Sequence, residues 1–188
     1  MTNKISIKKP SKKSEITKQH IMDIALKLFS EKGYYNTSIK DIAKTGEISH
    51  GLLYNYFDNK EELLKYIFEQ GSKKIQNTFE NMETQSTNLQ VFIVNIFEVL
   101  NKNTQLWRLM HTVKMQNKIV KVFKKELDEI TAYIVGMLSE YLEEKKINNP
   151  NIEALLLYAT IDGVSNHYLI NNDYPIDYVI KQLINKYK

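Results

Sequence analysis

The chain contains no cysteine, which excludes disulfides, cysteine-based zinc sites and thiol catalysis. Glycine and proline are sparse, at 6 and 3 of 188 residues, and long stretches lack both. Few helix breakers among many Leu, Ile, Lys and Glu predict an all-α chain. No N-terminal apolar segment has the form of a signal peptide, and no run of about 18 apolar residues could span a bilayer. The expectation is therefore a cytoplasmic protein with no membrane association. There is no Gly-rich phosphate loop and no nucleophile elbow, and the 4 histidines are too scattered to pair as metal ligands. Glu61-Glu62 and Glu143-Glu144 lie in charged helical surfaces and need no catalytic explanation. An enzyme is not expected, nor is a metal or cofactor.

What the chain does hold is enough apolar side chain for a sizeable core, at 43% of residues. Its net charge is only +4, but the distribution is uneven. Residues 1–60 carry 11 Lys against 6 acids, whereas residues 61–188 are slightly acidic, with 15 basic against 16 acidic residues. Five of those lysines fall in residues 1–13, which contain no acid and read as a flexible basic arm.

The first helix is predicted from after Ser14 to about Lys32, with Ile21, Ile24, Ala25, Leu28 and Phe29 forming its apolar stripe and Gly33 at its C-cap. Ser38 and Asp41 make a capping box for a second helix, whose Ile39, Ile42 and Ala43 point inward. Thr45-Gly46-Glu47-Ile48 is the turn, and Ser49 caps a third helix running to about Phe57. A fourth opens at Asn59-Lys60-Glu61-Glu62 and runs to roughly Met82. After a polar stretch from Glu83 to Asn88, helices are predicted at about 89–101, 104–116 and 118–146. Two more begin at Pro150, behind Asn149, and at Pro175. The total is about nine.

Two short helices joined by a tight turn, in the basic part of the chain, are the pattern of a helix-turn-helix DNA reader. From about Ile16 to Phe68 the sequence resembles the N-terminal domain of TetR/AcrR-type transcriptional regulators. The resemblance rests on Ala25–Leu28–Phe29, Glu31-Lys32-Gly33-Tyr34, Thr37-Ser38-Ile39, Asp41-Ile42-Ala43, Ser49 to Phe57 (SHGLLYNYF) and Asn59-Lys60-Glu61-Glu62-Leu63. It is ungapped and covers more than a quarter of the chain. There are departures: Glu47 stands where the family usually has glycine, with Gly46 one residue earlier. Either the turn is adjusted or Glu47 takes the required conformation at a cost. His50 and Leu52 replace the family's frequent Lys or Arg and Thr, which changes base preference rather than fold.

The resemblance implies three divisions: an arm at 1–13, a helix-turn-helix DNA-binding domain at 14–60, and a helical effector-binding and dimerisation domain at 61–188. Ala159 to Gly163 resembles part of the penultimate helix of such proteins. Ile48, Leu53 and Phe57 fit an inward stripe on the recognition helix, which leaves His50, Gly51, Leu52 and Asn55 facing out behind the Ser49 cap. Gly51 permits close approach to DNA, Leu52 suits a thymine methyl, and His50 or Asn55 can bond a base or phosphate. Tyr54 and Tyr56 resemble family tyrosines that bond phosphates. Thr37, Ser38, Lys40, Lys44 and Lys60 are the remaining candidate phosphate partners.

The expected partners are a double-stranded operator of inverted-repeat form, a second copy of the chain, and an unknown, partly apolar small molecule. The dimer face is expected on Leu155, Leu156, Ala159, Gly163 and Ile170, followed by Tyr178, Val179, Leu183 and Ile184. Trp107, Met110, His111 and Tyr133 are the candidate effector-lining residues, in a region rich in soft side chains that suit a pocket or a core equally. The expected function is a ligand-responsive repressor, with the fourth helix carrying the ligand's effect to the reader. The alternatives are an activator, and a DNA-binding architectural or division-associated factor of the same fold without an effector.

Overall fold

The computed structural model describes residues 12–83 and 88–187. The expected basic arm therefore lies outside the described residues except for Lys12 and Lys13, which open the first helix, as does most of the polar stretch expected from Glu83 to Asn88. Among the described residues there are ten helices and no strand: α1 (Lys12–Lys32), α2 (Ile39–Thr45), α3 (His50–Tyr54), α4 (Lys60–Glu83), α5 (Leu89–Lys102), α6 (Thr104–Lys114), α7 (Asn117–Val122), α8 (Lys124–Glu144), α9 (Pro150–Ile170) and α10 (Ile176–Asn185). The chain forms two compact units, Met1–Ile67 and Phe68–Lys188, and α4 contributes residues to both.

The first unit is built on the stripe that the sequence predicts. Ile21, Ala25 and Phe29 of α1 are fully buried together with Ile42 of α2 and Leu53 of α3, and Phe57, Leu63, Leu64 and Ile67 complete the core. The α1 helix ends at Gly33, whose φ of +86° is a conformation that glycine adopts without strain. The third helix is shorter than the expected span to Phe57, because the chain leaves it at Asn55 and buries Phe57 beyond its end.

In the second unit, the expected helix over 118–146 is two. Phe123 sits between α7 and α8 with φ −107° and ψ 14°, and its fully buried ring packs at 5.3 Å from that of Phe68. The break coincides with that buried ring, and no proline or glycine marks it in the sequence. Further aromatic contacts run through this core, with Phe79 and Phe92 at 5.5 Å and Phe92 and Tyr141 at 5.1 Å. Helix α9 turns Ala154, Leu157, Ile161, Ser165 and Leu169 inward and packs chiefly on α8. Asn149 precedes it in the left-handed region, and Pro150 occupies its first turn as expected.

Candidate nucleic-acid interface

The turn between α2 and α3 places a glycine in ordinary helical backbone and a glutamate in the left-handed region. Gly46 has φ −85°, which any residue adopts, but a Cβ at this position would lie 2.7 Å from Ile24 Cδ1. A side chain there would have to turn the end of Ile24 aside. Glu47 takes the left-handed conformation instead, at φ +53°, and carries the strain expected of a non-glycine residue there. Both helices of the motif are capped at their N-termini. The Ser38 hydroxyl accepts from the Asp41 amide at 3.1 Å, while the Asp41 carboxylate accepts from the Ser38 amide at 2.8 Å and its hydroxyl at 2.6 Å. Those bonds to Ser38 hold the Asp41 carboxyl below its ordinary pKa. The Ser49 hydroxyl accepts from the Leu52 amide at 3.1 Å and opens α3.

With the helix starts fixed, α3 presents a defined face. Leu53 is fully buried, whereas His50, Gly51, Tyr54 and Asn55 are exposed and Leu52 and Tyr56 are partly so. The His50 and Tyr54 rings meet edge to face at 4.9 Å, one turn apart, so each limits the other's directions. A Cβ added to Gly51 would meet nothing within 4 Å, so packing in this chain does not require glycine there. Ser38, Lys40, Lys44 and Ser49 are also exposed.

Two expected phosphate partners are engaged inside the protein. Thr37 is buried, and its hydroxyl donates to the carbonyls of Gly33 at 3.0 Å and Leu28 at 3.3 Å, closing the end of α1. Lys60 Nζ donates to the carbonyls of Tyr34 at 2.8 Å and Thr37 at 3.0 Å, and stands 4.2 Å from the Tyr34 ring centre. Burial lowers the Lys60 pKa and pushes the Tyr34 hydroxyl up to about 12, with Glu61 adding to the latter. Lys60 thus ties the start of α4 to the loop before α2. Lys18 does similar work, with Nζ 4.0 Å from the Tyr66 ring centre and 5.2 Å from that of Phe57. Sequence reading missed this contact, because lysine on an amphipathic helix ordinarily signals a solvated face.

In the second unit, the four candidate effector residues do not form one lining. Trp107 and Met110 are buried, and His111 is partly buried on the same helix. Tyr133 lines a cavity of about 320 Å³ with Ser72, Ile75, Gln76, Glu129 and Ile130. Two adjoining cavities, of about 270 and 560 Å³, share Lys121, Lys124 and Asp128. Of the expected dimer face, Leu155, Ala159, Gly163, Ile170 and Tyr178 are exposed, but Leu183 is buried and serves the subunit's own core. Leu156, also expected there, is 58% exposed, and Ile152, which was not, is 60% exposed. Among the described residues no helix is long and apolar enough to cross a membrane.

The family model described as bacterial regulatory proteins, tetR family, matches residues 21–67. The chain is 37% identical over 68 residues to the HTH-type transcriptional regulator AcrR of Shigella flexneri, a match spanning 36% of this chain and only 32% of that relative. It is 30% identical over 127 residues to the HTH-type dhaKLM operon transcriptional activator DhaS of Lactococcus lactis, covering 62% of this chain and 67% of that one. Among solved structures, the fold matches the transcriptional regulator FadR of Bacillus subtilis, solved in complex with stearoyl-CoA, with TM-score 0.73 and 20% identity over 90% of this chain and 96% of that one.

Proposed function

This chain belongs to the tetR family of bacterial regulatory proteins, DNA-binding regulators of transcription, and on that premise we propose a ligand-responsive repressor that holds an inverted-repeat operator as a homodimer. The observation that carries the reading is the outward face of α3. Its glycine is not needed by the fold, its neighbours are a leucine, a histidine and an asparagine, and both helices of the motif are capped at their N-termini. That combination suits a rigid edge laid in a major groove, where His50, Gly51, Leu52 and Asn55 meet base edges. Ser38, Lys40, Lys44, Ser49, Tyr54 and Tyr56 surround it as phosphate partners, while Thr37 and Lys60 position the elements that carry them.

One such unit spans too few base pairs for useful selectivity, so a two-fold pair is required. The exposed apolar row on α9 supports that pairing, since Ile152, Leu155, Leu156, Ala159 and Gly163 recur at helical spacing without burial in the subunit. The effector is a partly apolar small molecule that favours a form of the dimer unable to hold both half-sites. By linkage, the operator weakens effector binding by the same factor. An amphipathic molecule in the FadR neighbour supports an effector of that character. The cell compartment that fits this work is the cytoplasm.

Repression follows from occupancy alone, since a dimer seated over a promoter blocks it. Activation is the second reading, because DhaS carries that name, and the position of the operator decides between them. The test is protection of the DNA beside the protein's own gene, at two salt concentrations and with excess competitor. Protection of a single inverted repeat is expected. Weak, salt-labile and sequence-blind binding would favour an architectural role.

A further inference from the structure

From Val99 to Lys125 the chain contains no acidic residue and seven Lys or Arg. Three of these, Lys114, Lys121 and Lys124, line the 270 Å³ cavity together with Val120, Leu127, Asp128 and Thr131. Lys114 and Thr131 of this lining belong to a polar network that continues behind them onto α9. Lys114 Nζ, on α6, donates to Asp162 Oδ1 of α9 at 3.0 Å and reaches the Tyr158 hydroxyl at 3.5 Å. The Tyr158 hydroxyl in turn lies 3.1 Å from Thr131 Oγ1 of α8. Lys114 and Asp162 are only 27% and 33% exposed. Burial pushes the Lys114 ammonium down, but Tyr158 and Asp162 together outweigh it and raise its pKa, so it stays charged.

On the same face of α6, one turn earlier, His111 Nε2 is buried without a hydrogen-bond partner and stands 4.0 Å from Asp162 Oδ1. Burial lowers its pKa, against Asp162 and with Lys114. A neutral imidazole therefore faces the carboxylate across a gap too long for a good bond. Asp162 is thus held mainly by Lys114, and Lys114 also opens on a cavity with an apolar side formed by Val120 and Leu127. An anion that enters there competes with Asp162 for the same ammonium.

We propose that the α6–α7–α8 cavity takes an amphipathic anion whose head binds Lys114 in place of Asp162, and that this exchange unlatches α6 from α9. The proposal deepens the regulator reading above and rests on it for its physiological meaning. Helix α9 carries the exposed apolar row, so releasing its tie to α6 is a route from ligand to dimer. Lys121 and Lys124 supply the surrounding positive field, and the Lys124–Asp128 pair, being exposed and one turn long, opposes entry little. Carboxylate and phosphate heads share the required chemistry.

The test is equilibrium dialysis of the full chain with decanoate, decyl phosphate and uncharged decanol, beside operator titrations on the same preparations. Both anions are expected to bind at least about tenfold tighter than decanol, and the better of the two identifies the head. Lys114→Met should erase that preference, bringing the anions to the affinity of decanol in the same variant. Asp162→Asn should tighten decanoate about threefold or more, by removing the competing carboxylate. If Lys114→Met fails to fold, as its melting curve would show, Asp162→Asn carries the test. No binding of any probe, equal affinity for decanol and decanoate, a preference that survives Lys114→Met, or no change with Asp162→Asn overturns the proposal. Operator binding without anion preference would leave the regulator reading standing alone. Anion preference without operator binding would remove that reading and leave the site.

Discussion

Two carbonyls, of Tyr34 and Thr37, take the donors of the Lys60 ammonium that family resemblance would send to a phosphate. Sequence shows that a lysine stands at the start of a helix, but its direction depends on where a loop 23 to 26 residues earlier returns. The consequence is measurable. Lys60→Ala should lower the melting temperature, since a charged hydrogen bond at this half-exposed position contributes about 1 kcal/mol. The slope of operator affinity against salt should stay unchanged, whereas loss of a true phosphate contact would reduce it by about one. An unchanged melting temperature with a reduced slope would return Lys60 to the contact set. Glu47 was more legible: the offset between Gly46 and the usual turn glycine left two possibilities, and its φ of +53° selects the strained one.

Periodicity and caps located most helices of this fold, because both are local. Ser38 with Asp41, Ser49, Asn59 and Pro150 each sit where their chemistry requires. The division between α7 and α8 was not legible, since a buried phenylalanine ring rather than a breaker residue stands there. The early end of α3 likewise coincides with a buried ring, that of Phe57. At Gly46 the packing of two elements makes a direct prediction. A methyl group there meets Ile24 Cδ1, the movable end of a side chain, at 2.7 Å and the Ile42 carbonyl oxygen at 3.3 Å, so Gly46→Ala should destabilise the chain by no more than about 1 kcal/mol in urea unfolding, the cost of turning Ile24 aside being partly offset by alanine's better helix propensity. A stabilised variant would show that α1 and α2 have room to spare.

At the scale of the whole molecule, effector lining was the least legible feature, because a pocket and a core draw on the same Met and aromatic residues. Trp107 and Met110 are buried, Tyr133 lines one cavity, and His111 stands 4.0 Å from Asp162, beside the polar network rather than within it. Of the proposed pairing face, small and apolar residues recur exposed along α9, whereas Leu183 of α10 is buried within the chain. Leu155, 51% exposed in the single chain, separates folding from assembly. Leu155→Glu should leave the subunit's helix content intact and shift its mass by light scattering from dimer to monomer. A variant that remains dimeric would place the interface elsewhere. The central claim, that the outward face of α3 reads DNA, is tested most directly by measuring operator affinity and thermal stability of Gly51→Ala side by side. The added methyl meets nothing in the chain, so the melting temperature should hold or rise while operator affinity falls about tenfold or more. Full operator binding by a stable Gly51→Ala chain would contradict the claim.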